Sequence, residues 1–420
     1  EFAALNFVFP FIMVLGGAGF MIGTGGTALV AQQLGQGNKQ KANHTFTTMV
    51  SFTILLGVIL TVIGIAVIRP VCVLLGATPE MIEGCVVYGR VTIAFTAAFM
   101  LQNVFQSFLA AAEKPKLGLF VTVAAGLTNA VLDAVFIAGF RWGLAGAALA
   151  TGIGQALSTG VYLVVYASTE LPVRLRRACL KLNKELDTRL YSIGIPAILN
   201  LALPSLLVTF LNSLLAAFSG SYVVVLGIYY KLQTFLYLPA NGIVQGMRPL
   251  ISYNYGAGEH KRVRQLYQIT LILSAAIMAA GTLGCLAASE PLMRLFTSTP
   301  ETVEAGKIAL RIICLGFVIS AISTTSSGAL EGLGKGTQSL VISLCRYIVF
   351  IMPLAWVLCR QFGPVGVWNA FWATEVLSAI GFPYRLQKER LTRFPYTQKR
   401  LRACTPLSQG GKPGAFSVSA

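Results

Sequence analysis

Two acidic residues lie deep inside apolar stretches of the chain. Asp133 and Glu375 each fall well within a long apolar run, whereas nearly all of the other acidic residues lie in polar segments or at the ends of such runs. If the runs cross a membrane, a charge at their centre costs at least about 2.5–3.5 kcal/mol. Residues retained at that cost are candidates for binding an ion or a substrate.

Asp133 has two polar companions. Asn129 lies one helical turn earlier, on the same helical face. The next apolar run returns from residue 143, and counting from that turn places Thr151 at the depth of the pair. Carboxylate, amide and hydroxyl oxygens suit Na⁺, and a buried carboxylate can instead carry a proton. An Asn/Asp pair that only joins helices is the alternative interpretation.

Four further polar residues predict a central cleft. Arg346 and Glu375 lie at similar depth in consecutive apolar runs and could pair, and Lys231 is equally deep in another run. Gln155 occupies the place in the first half of the chain that Glu375 occupies in the second. Glu375 could receive a cationic compound, or it could form a buried ion pair with Arg346 that only fixes helix packing.

The composition shows which solvent surrounds these residues. Hydrophobic residues make up 55% of the 420 residues, charged residues only 11%, and the mean hydropathy is +0.72. Soluble domains carry about 25% charged residues, so this composition indicates an integral membrane protein. The apolar runs have the length of membrane helices rather than of barrel strands. They predict eleven spans, at about 5–34, 44–68, 84–112, 116–139, 143–167, 189–217, 221–252, 262–287, 304–331, 336–360 and 365–386.

The chain contains an internal repeat. The segment from Ala28 to Lys39 recurs as the segment from Pro249 to His260, and the same offset along the chain relates Lys114 to Lys335. Duplicated halves in an apolar protein are typical of transporters that work by alternating access. The predicted fold is therefore all-α and polytopic, with two parallel, pseudo-symmetric six-helix lobes. The predicted boundaries are 1–168 for the first lobe, 169–188 for a cytoplasmic linker, 189–386 for the second lobe and 387–420 for a basic, partly disordered tail.

The repeat also predicts a helix ahead of this sequence. The second lobe opens with span 189–217, whose counterpart in the first lobe would precede residue 1. We therefore expect five of the six helices of the first lobe in this chain.

The distribution of Lys and Arg predicts the orientation. Most basic residues fall in loops on one side, as Lys39, Lys114 and Lys261 do, or in the tail. The positive-inside rule makes this side cytoplasmic, which predicts a multi-pass protein of the inner (cytoplasmic) membrane with a cytoplasmic C-terminus. This arrangement accounts for most of the net charge of +17 without nucleic acid.

No ATPase module is expected in the chain, and therefore an ion gradient or the ATPase of a partner must drive any transport. The glycine-rich turn at residues 332–337 fails the phosphate-loop pattern, because Ala329 and Gly336 stand where a glycine and a hydroxyl are required. The scattered cysteines predict neither a disulfide nor a metal site, and no cofactor is expected beyond Na⁺ or H⁺ as coupling ion. Pro239, Gly242 and Gly246 interrupt one span and predict a point of bending.

These residues carry a family resemblance. The stretch Gly126 to Asp133, the stretch Gly143 to Thr151 and the stretch Pro239 to Ala257 together resemble the multidrug and toxic compound extrusion (MATE) family. The resemblance implies two six-helix bundles and export of cationic or amphipathic drugs in exchange for Na⁺ or H⁺. It also implies a cation site at Asn129, Asp133 and Thr151, to which Tyr88 would belong.

Two other functions are alternatives. A flippase of lipid-linked saccharides, from the same wider superfamily, would need a more cationic cavity, for which Lys231 and Arg346 are the candidates. A membrane enzyme such as a prenyltransferase would need clustered acids that hold Mg²⁺, but no two carboxylates share a deep segment. We therefore expect a transporter that carries small organic cations or amphipathic compounds, not an enzyme.

Overall fold

The computed structural model describes residues 2–74, 79–168, 172–173 and 184–381. All regular structure in this part of the chain is helical. The α-helices are α1 (Phe2–Gly35), α2 (Lys39–Leu74), α3 (Pro79–Ala94), α4 (Thr96–Ala111), α5 (Pro115–Asp133), α6 (Gly143–Ser168), α7 (Lys184–Ala216), α8 (Gly220–Gly256), α9 (His260–Ala287), α10 (Ser289–Arg294), α11 (Pro300–Ile313), α12 (Phe317–Gly332), α13 (Gly336–Leu344), α14 (Ile351–Phe362) and α15 (Pro364–Gly381).

The predicted fold class is confirmed, and within the described residues each of the eleven predicted spans corresponds to one helix or to consecutive helices. Within the described residues, eight helices are long and apolar enough to cross a membrane, and the bent pair α3 and α4 raises this number to nine. The other two predicted spans correspond to α7 and α15. The helices often extend beyond the spans, since polar turns at the membrane surface remain helical. The tail 387–420 and most of the linker 169–188 lie outside the described residues, and α7 begins within that linker at Lys184.

The repeat is visible in the turns of the backbone. Gly37 and Gly258, which are equivalent in the repeat, have φ of 75° and 78°, and the equivalent residues Glu113 and Gly334 have φ of 61° and 74°. These are left-handed conformations, which glycine adopts without strain. The loop hydrogen bonds repeat as well, because the amides of Asn38 and Glu259 each bond the carbonyl five residues earlier, at 3.0 and 2.9 Å. The two halves therefore use the same helix-to-helix turns.

One span in each half is broken at the equivalent place. The third predicted span is divided at Phe95, where α3 and α4 bend by 47°. In the second half a 3₁₀ segment at Cys314–Gly316 separates α11 from α12, and Gly316 is the repeat equivalent of Phe95. The prediction of one continuous helix over 84–112 was wrong in this respect, because apolar periodicity carries no signal for a local change in hydrogen bonding.

Both breaks pack against a later helix of their own half. The Phe95 ring fills the space over Gly152 of α6, where a Cβ would lie 2.1 Å from the ring. At the equivalent contact in the second half Gly316 lies against the backbone of α15, and a Cβ there would lie 3.0 Å from the Cα of Trp372. The same pair of positions therefore stays in contact in both halves although the residues differ.

The buried apolar residues form separate cores in the two halves. Two clusters contain residues 8–173, and a third contains residues 207–371. Helices α1, α7 and α8 join the halves. At the predicted cytoplasmic ends of α1 and α8 the backbones touch: a Cβ on Gly35 would lie 2.0 Å from the Tyr253 carbonyl oxygen, and one on Gly256 would lie 2.1 Å from that of Gln32. The two glycines are equivalent in the repeat, and so are the two carbonyls, so the Gly35–Gly256 contact follows its symmetry.

Candidate functional site

Asp133 lies on a helix at the edge of the molecule. Only 6% of the most apolar part of the α5 span is buried, and Leu127 and Val131 are more than 60% exposed, as expected for a surface that faces lipid. Asp133 instead has its Oδ1 atom buried, with no hydrogen-bond partner. The helix widens directly after it into a π-helical segment, Ala134–Gly139. Such segments often occur at functional positions.

The polar residues predicted around Asp133 lie near it. The amide Nδ2 of Asn129 donates to the hydroxyl of Thr151 on α6 at 3.4 Å, the long end of the hydrogen-bond range. Gly154 of α6 lies beside Asn129, since a Cβ there would be 3.5 Å from that of Asn129, an ordinary contact distance. Tyr88 of α3 is 7% exposed and close enough to Asp133 for electrostatic interaction. A carboxylate, an amide, a hydroxyl and a phenol thus come from the neighbouring helices α3, α5 and α6, and the amide and the hydroxyl among them are in hydrogen-bond contact.

This arrangement is suited to a single small cation. Asp133 supplies a negative charge, and one of its oxygens has no donor, so a proton or a bound ion would satisfy it. Asn129 and Thr151 add neutral oxygens of the kind that Na⁺ prefers. Among the described residues no group of three or more His, Cys, Asp or Glu side chains could hold a metal ion. We call the set Asp133, Asn129, Thr151 and Tyr88 the first-lobe polar site.

The second half contains a buried ion pair. Nη2 of Arg346 donates to Oε1 of Glu375, and the two side chains are each 11% exposed. Arg346 lies in the second π-helical segment, Cys345–Phe350, and its guanidinium lies over the Tyr347 ring, 5.2 Å from the centroid. The second oxygen of Glu375, Oε2, is buried without a hydrogen-bond partner.

The ion pair forms part of the wall of an aromatic cavity. The cavity has a volume of about 350 Å³, within the range of small-molecule sites. Its aromatic lining comes from Tyr229, Tyr230, Tyr237, Phe317, Tyr347 and Phe371. We call this space the second-lobe cavity. It combines a carboxylate with ring faces, both of which attract organic cations.

The other predicted cleft residues lie elsewhere. Lys231 is exposed and lines none of the three described cavities, because it lies on a face of α8 different from that of Tyr230. Gln155 is half-buried in α6 and does not reach these cavities either. Pro239, Gly242 and Gly246 lie within α8, which is helical throughout. These three residues were predicted as a point of bending, and a Cβ on Gly242 or Gly246 would meet nothing within 4 Å.

A further buried charge pair was missed. Oε2 of Glu331 lies 2.7 Å from Nη2 of Arg248, and its Oε1 accepts from Nδ2 of Asn200 at 3.0 Å and from the hydroxyl of Ser339 at 3.0 Å. Glu331 is only 4% exposed. It lies at the end of the predicted span 304–331, where acidic residues are usually exposed to water. Two signals were available: Arg248 is an isolated basic residue near the end of α8, and Asn200 is polar within an apolar stretch.

The cavities adjoin one another. A second cavity, of about 270 Å³, is lined by Arg346 and Tyr347 on one side and by Arg248 and Glu331 on another, and it also contacts Asn200. We call it the connecting cavity. A third, of about 380 Å³, is lined by residues of both halves, including Arg248 and Glu331, and we call it the inter-lobe cavity. Shared lining residues therefore connect the Arg346–Glu375 pair to the interface between the halves.

Comparison with known proteins identifies the family. A family model described as MatE matches residues 1–135 and 196–357. The chain belongs to the MATE family. It is 26% identical over 396 residues to the multidrug export protein MepA of Staphylococcus haemolyticus, covering 93% of this chain and 86% of the relative. It is 24% identical over 394 residues to MepA of Staphylococcus aureus, with the same coverage.

Solved structures of MATE and MOP superfamily transporters share the fold. One, described as the outward-facing conformation of a multidrug resistance MATE family transporter of the MOP superfamily, has a TM-score of 0.87 and 22% identity, covering 93% of this chain and 89% of that structure. A MOP superfamily transporter from Pyrococcus furiosus, described as having reverse polarity of the binding pocket, has a TM-score of 0.86 and 21% identity, over 93% and 89%. With the family match and the membrane-length helices, the chain is a multi-pass MATE-family membrane protein.

Proposed function

We propose that this MATE protein exports cationic or amphipathic organic compounds in exchange for Na⁺ or H⁺. The first-lobe polar site binds the coupling ion, and the second-lobe cavity receives the organic compound. The observation that carries the proposal is the Asp133 carboxylate, held inside a membrane-spanning segment with one buried oxygen that has no donor. Retaining such a group is costly unless an ion or a proton satisfies it. The multidrug export named for MepA supports the same conclusion.

The location of Asp133 explains how an ion could be coupled to transport. Its helix, α5, contacts α6 along its length and has few buried neighbours elsewhere. A charged Asp133 carboxylate favours water or a bound cation around it, whereas a neutral one favours packing against protein. The packing of α5 and α6 can therefore respond to ion binding. An ion that binds one conformation more tightly shifts the equilibrium toward it. The ion gradient then drives the cycle.

The lipid-linked saccharide flippase is less well supported. That function needs a net cationic cavity, but each arginine that lines the described cavities has a carboxylate partner, Arg346 with Glu375 and Arg248 with Glu331. Lys231, the other cation considered, is exposed and outside these cavities. The charge balance therefore favours a cationic or neutral compound over a pyrophosphate.

The test uses the full-length protein in proteoliposomes loaded with a fluorescent aromatic cation. We expect an imposed Na⁺ or H⁺ gradient to drive movement of the cation without ATP, and a pyrophosphate-linked lipid not to move. Transport of the lipid analogue with no gradient-driven movement of the cation would refute the proposal. A neutral dye of similar shape serves as the control for leakage.

A further inference from the structure

Arg346 occupies the place that an organic cation would take. In the second-lobe cavity its guanidinium bonds Glu375 and lies over the ring of Tyr347. These are the two interactions, with a carboxylate and with an aromatic face, by which a protein recognises an organic cation. The strongest cation-binding position in the cavity is therefore filled by a side chain of the protein itself.

Arg346 also has a second space available. Its side chain lines both the second-lobe cavity and the connecting cavity. The connecting cavity is lined by polar side chains, among them Asn200, Ser323, Ser327 and Ser343, and by the Glu331 carboxylate. A guanidinium that turned toward it would find hydrogen-bond acceptors, so leaving Glu375 would not strand the charge in an apolar environment.

The backbone at Arg346 suits such a movement. The residue lies in the π-helical segment Cys345–Phe350, where the regular α-helical hydrogen bonds are interrupted. Interruptions of this kind are places where membrane helices adjust. Glu375, by contrast, lies within the regular helix α15. We therefore take the arginine as the partner that moves and the glutamate as the one that stays in place.

We propose that Arg346 is a tethered competitor for the substrate site: an organic monocation binds by displacing its guanidinium from Glu375 into the connecting cavity. This inference rests on the proposed function and names the substrate class, aromatic monocations. One positive charge replaces another at Glu375, so the carboxylate stays paired throughout. A neutral compound cannot make the exchange and binds only to the rings. Competition of this kind selects for cations that bind the carboxylate and rings better than an arginine does.

The test measures binding to the purified full-length protein in detergent, with no ion gradient, so that coupling does not enter. The probes are an aromatic monocationic dye and a neutral dye of the same ring system, followed by fluorescence anisotropy. In Arg346→Gln the competitor is gone, and we expect the cation to bind at least about tenfold more tightly, the effect of removing one buried charge-assisted interaction. Binding of the neutral dye should change by less than about twofold.

The double variant Arg346→Gln with Glu375→Gln should lose this gain, because the fixed carboxylate is gone. The matched control is Arg360→Gln, which removes an exposed arginine that lies over the Trp356 ring, 4.1 Å from its centroid, and lines none of the described cavities. It should bind both dyes as the wild type does. If Arg346→Gln does not fold, Arg346→Lys takes its place in the test. A lysine ammonium holds the Glu375 carboxylate less firmly than the guanidinium of arginine does, so the cationic dye should again bind more tightly than to the wild type.

Weaker or unchanged binding of the cation to a folded Arg346→Gln or Arg346→Lys protein would overturn the inference and leave Arg346 as a residue that only fixes helix packing. An equal gain for both dyes would also overturn it, because it would show a general opening of the cavity. If the wild type binds neither dye, the proposed function itself fails at the substrate site. These results are distinguishable because the wild type is measured first.

Discussion

The contact between Gly35 and Gly256 makes a sharp prediction about access from the predicted cytoplasmic side. The α1 and α8 backbones touch there so closely that a Cβ on either glycine would lie 2.0 or 2.1 Å from a carbonyl oxygen of the other helix, whereas ordinary contact begins at 3.4 Å. Alanine at either position would force the helices apart by roughly 1.3 Å, because a backbone carbonyl cannot turn aside as a flexible side chain can.

The size of the effect follows from the cost of overpacking. One extra methyl group in a well-packed contact costs about 1–3 kcal/mol. If this cost falls only on the conformation in which α1 and α8 touch, the equilibrium shifts away from it by about five-fold to 150-fold, at tenfold per 1.4 kcal/mol. We therefore expect Gly35→Ala or Gly256→Ala to populate a state open to the predicted cytoplasmic side.

The assay uses a reporter cysteine at Ser107, which lines the inter-lobe cavity, in a background without native cysteines. A membrane-impermeant thiol reagent is added on the side of the α1–α2 turn. Labelling should accelerate in Gly35→Ala and Gly256→Ala. Gly17→Ala on α1 and Gly227→Ala on α8 are the controls, because a Cβ on either residue meets nothing within 4 Å. Unchanged labelling in both test variants, or equal acceleration in the controls, would refute this account of the contact.

Three further predictions concern packing, charge and topology. Gly152→Ala places a Cβ 2.1 Å from the Phe95 ring, so it should destabilise the protein by about 1–3 kcal/mol. Adding Phe95→Leu should restore part of the loss in melting temperature. Gly160→Ala is the control, because a Cβ there meets open space, and it should have little effect. Arg248→Gln leaves the Glu331 carboxylate buried without its cation and should lower the free energy of unfolding by about 3–5 kcal/mol. Adding Glu331→Gln should recover most of that loss. A double variant as unstable as the single one would contradict the pairing. Cysteines near Lys41 and Lys261 should react with an impermeant reagent from one face of the membrane, and those near Arg141 and Arg294 from the other; labelling of 41 and 261 from opposite faces would overturn the parallel repeat.

The sequence predicted the helices well because apolar length and the repeat act over many residues. The fold class and the correspondence of spans to helices follow from solvent and composition alone. The turns at Gly37 and Gly258 recur because both repeats need a left-handed residue there. Boundaries were less accurate, since a helix that projects beyond the membrane stays helical through polar residues, as α7 does from Lys184.

Features that depend on local or tertiary contacts were not predictable. The break at Phe95 and the π-helical segments after Asp133 and around Arg346 leave no mark in hydrophobic periodicity. Depth counting indicated that Arg346 and Glu375 could meet, but it could not show which face of α8 Lys231 occupies. Glu331 lies at the end of the predicted span 304–331, where a surface charge is expected, whereas its burial depends on contacts with Asn200 and Ser339 from other helices.

Asp133 is proposed to couple an ion to export, and one variant tests this role directly. Asp133→Asn removes the charge of the first-lobe polar site and keeps the size of the side chain, so the protein should fold and still bind the cationic dye in detergent. Glu304→Gln is the control, because Glu304 is exposed and pairs with Lys307 at 3.4 Å, outside the described cavities. In proteoliposomes, gradient-driven movement of the dye should fall to the level of empty liposomes for Asp133→Asn and stay normal for Glu304→Gln. Normal gradient-driven movement in Asp133→Asn would contradict the assignment of Asp133 as the coupling residue.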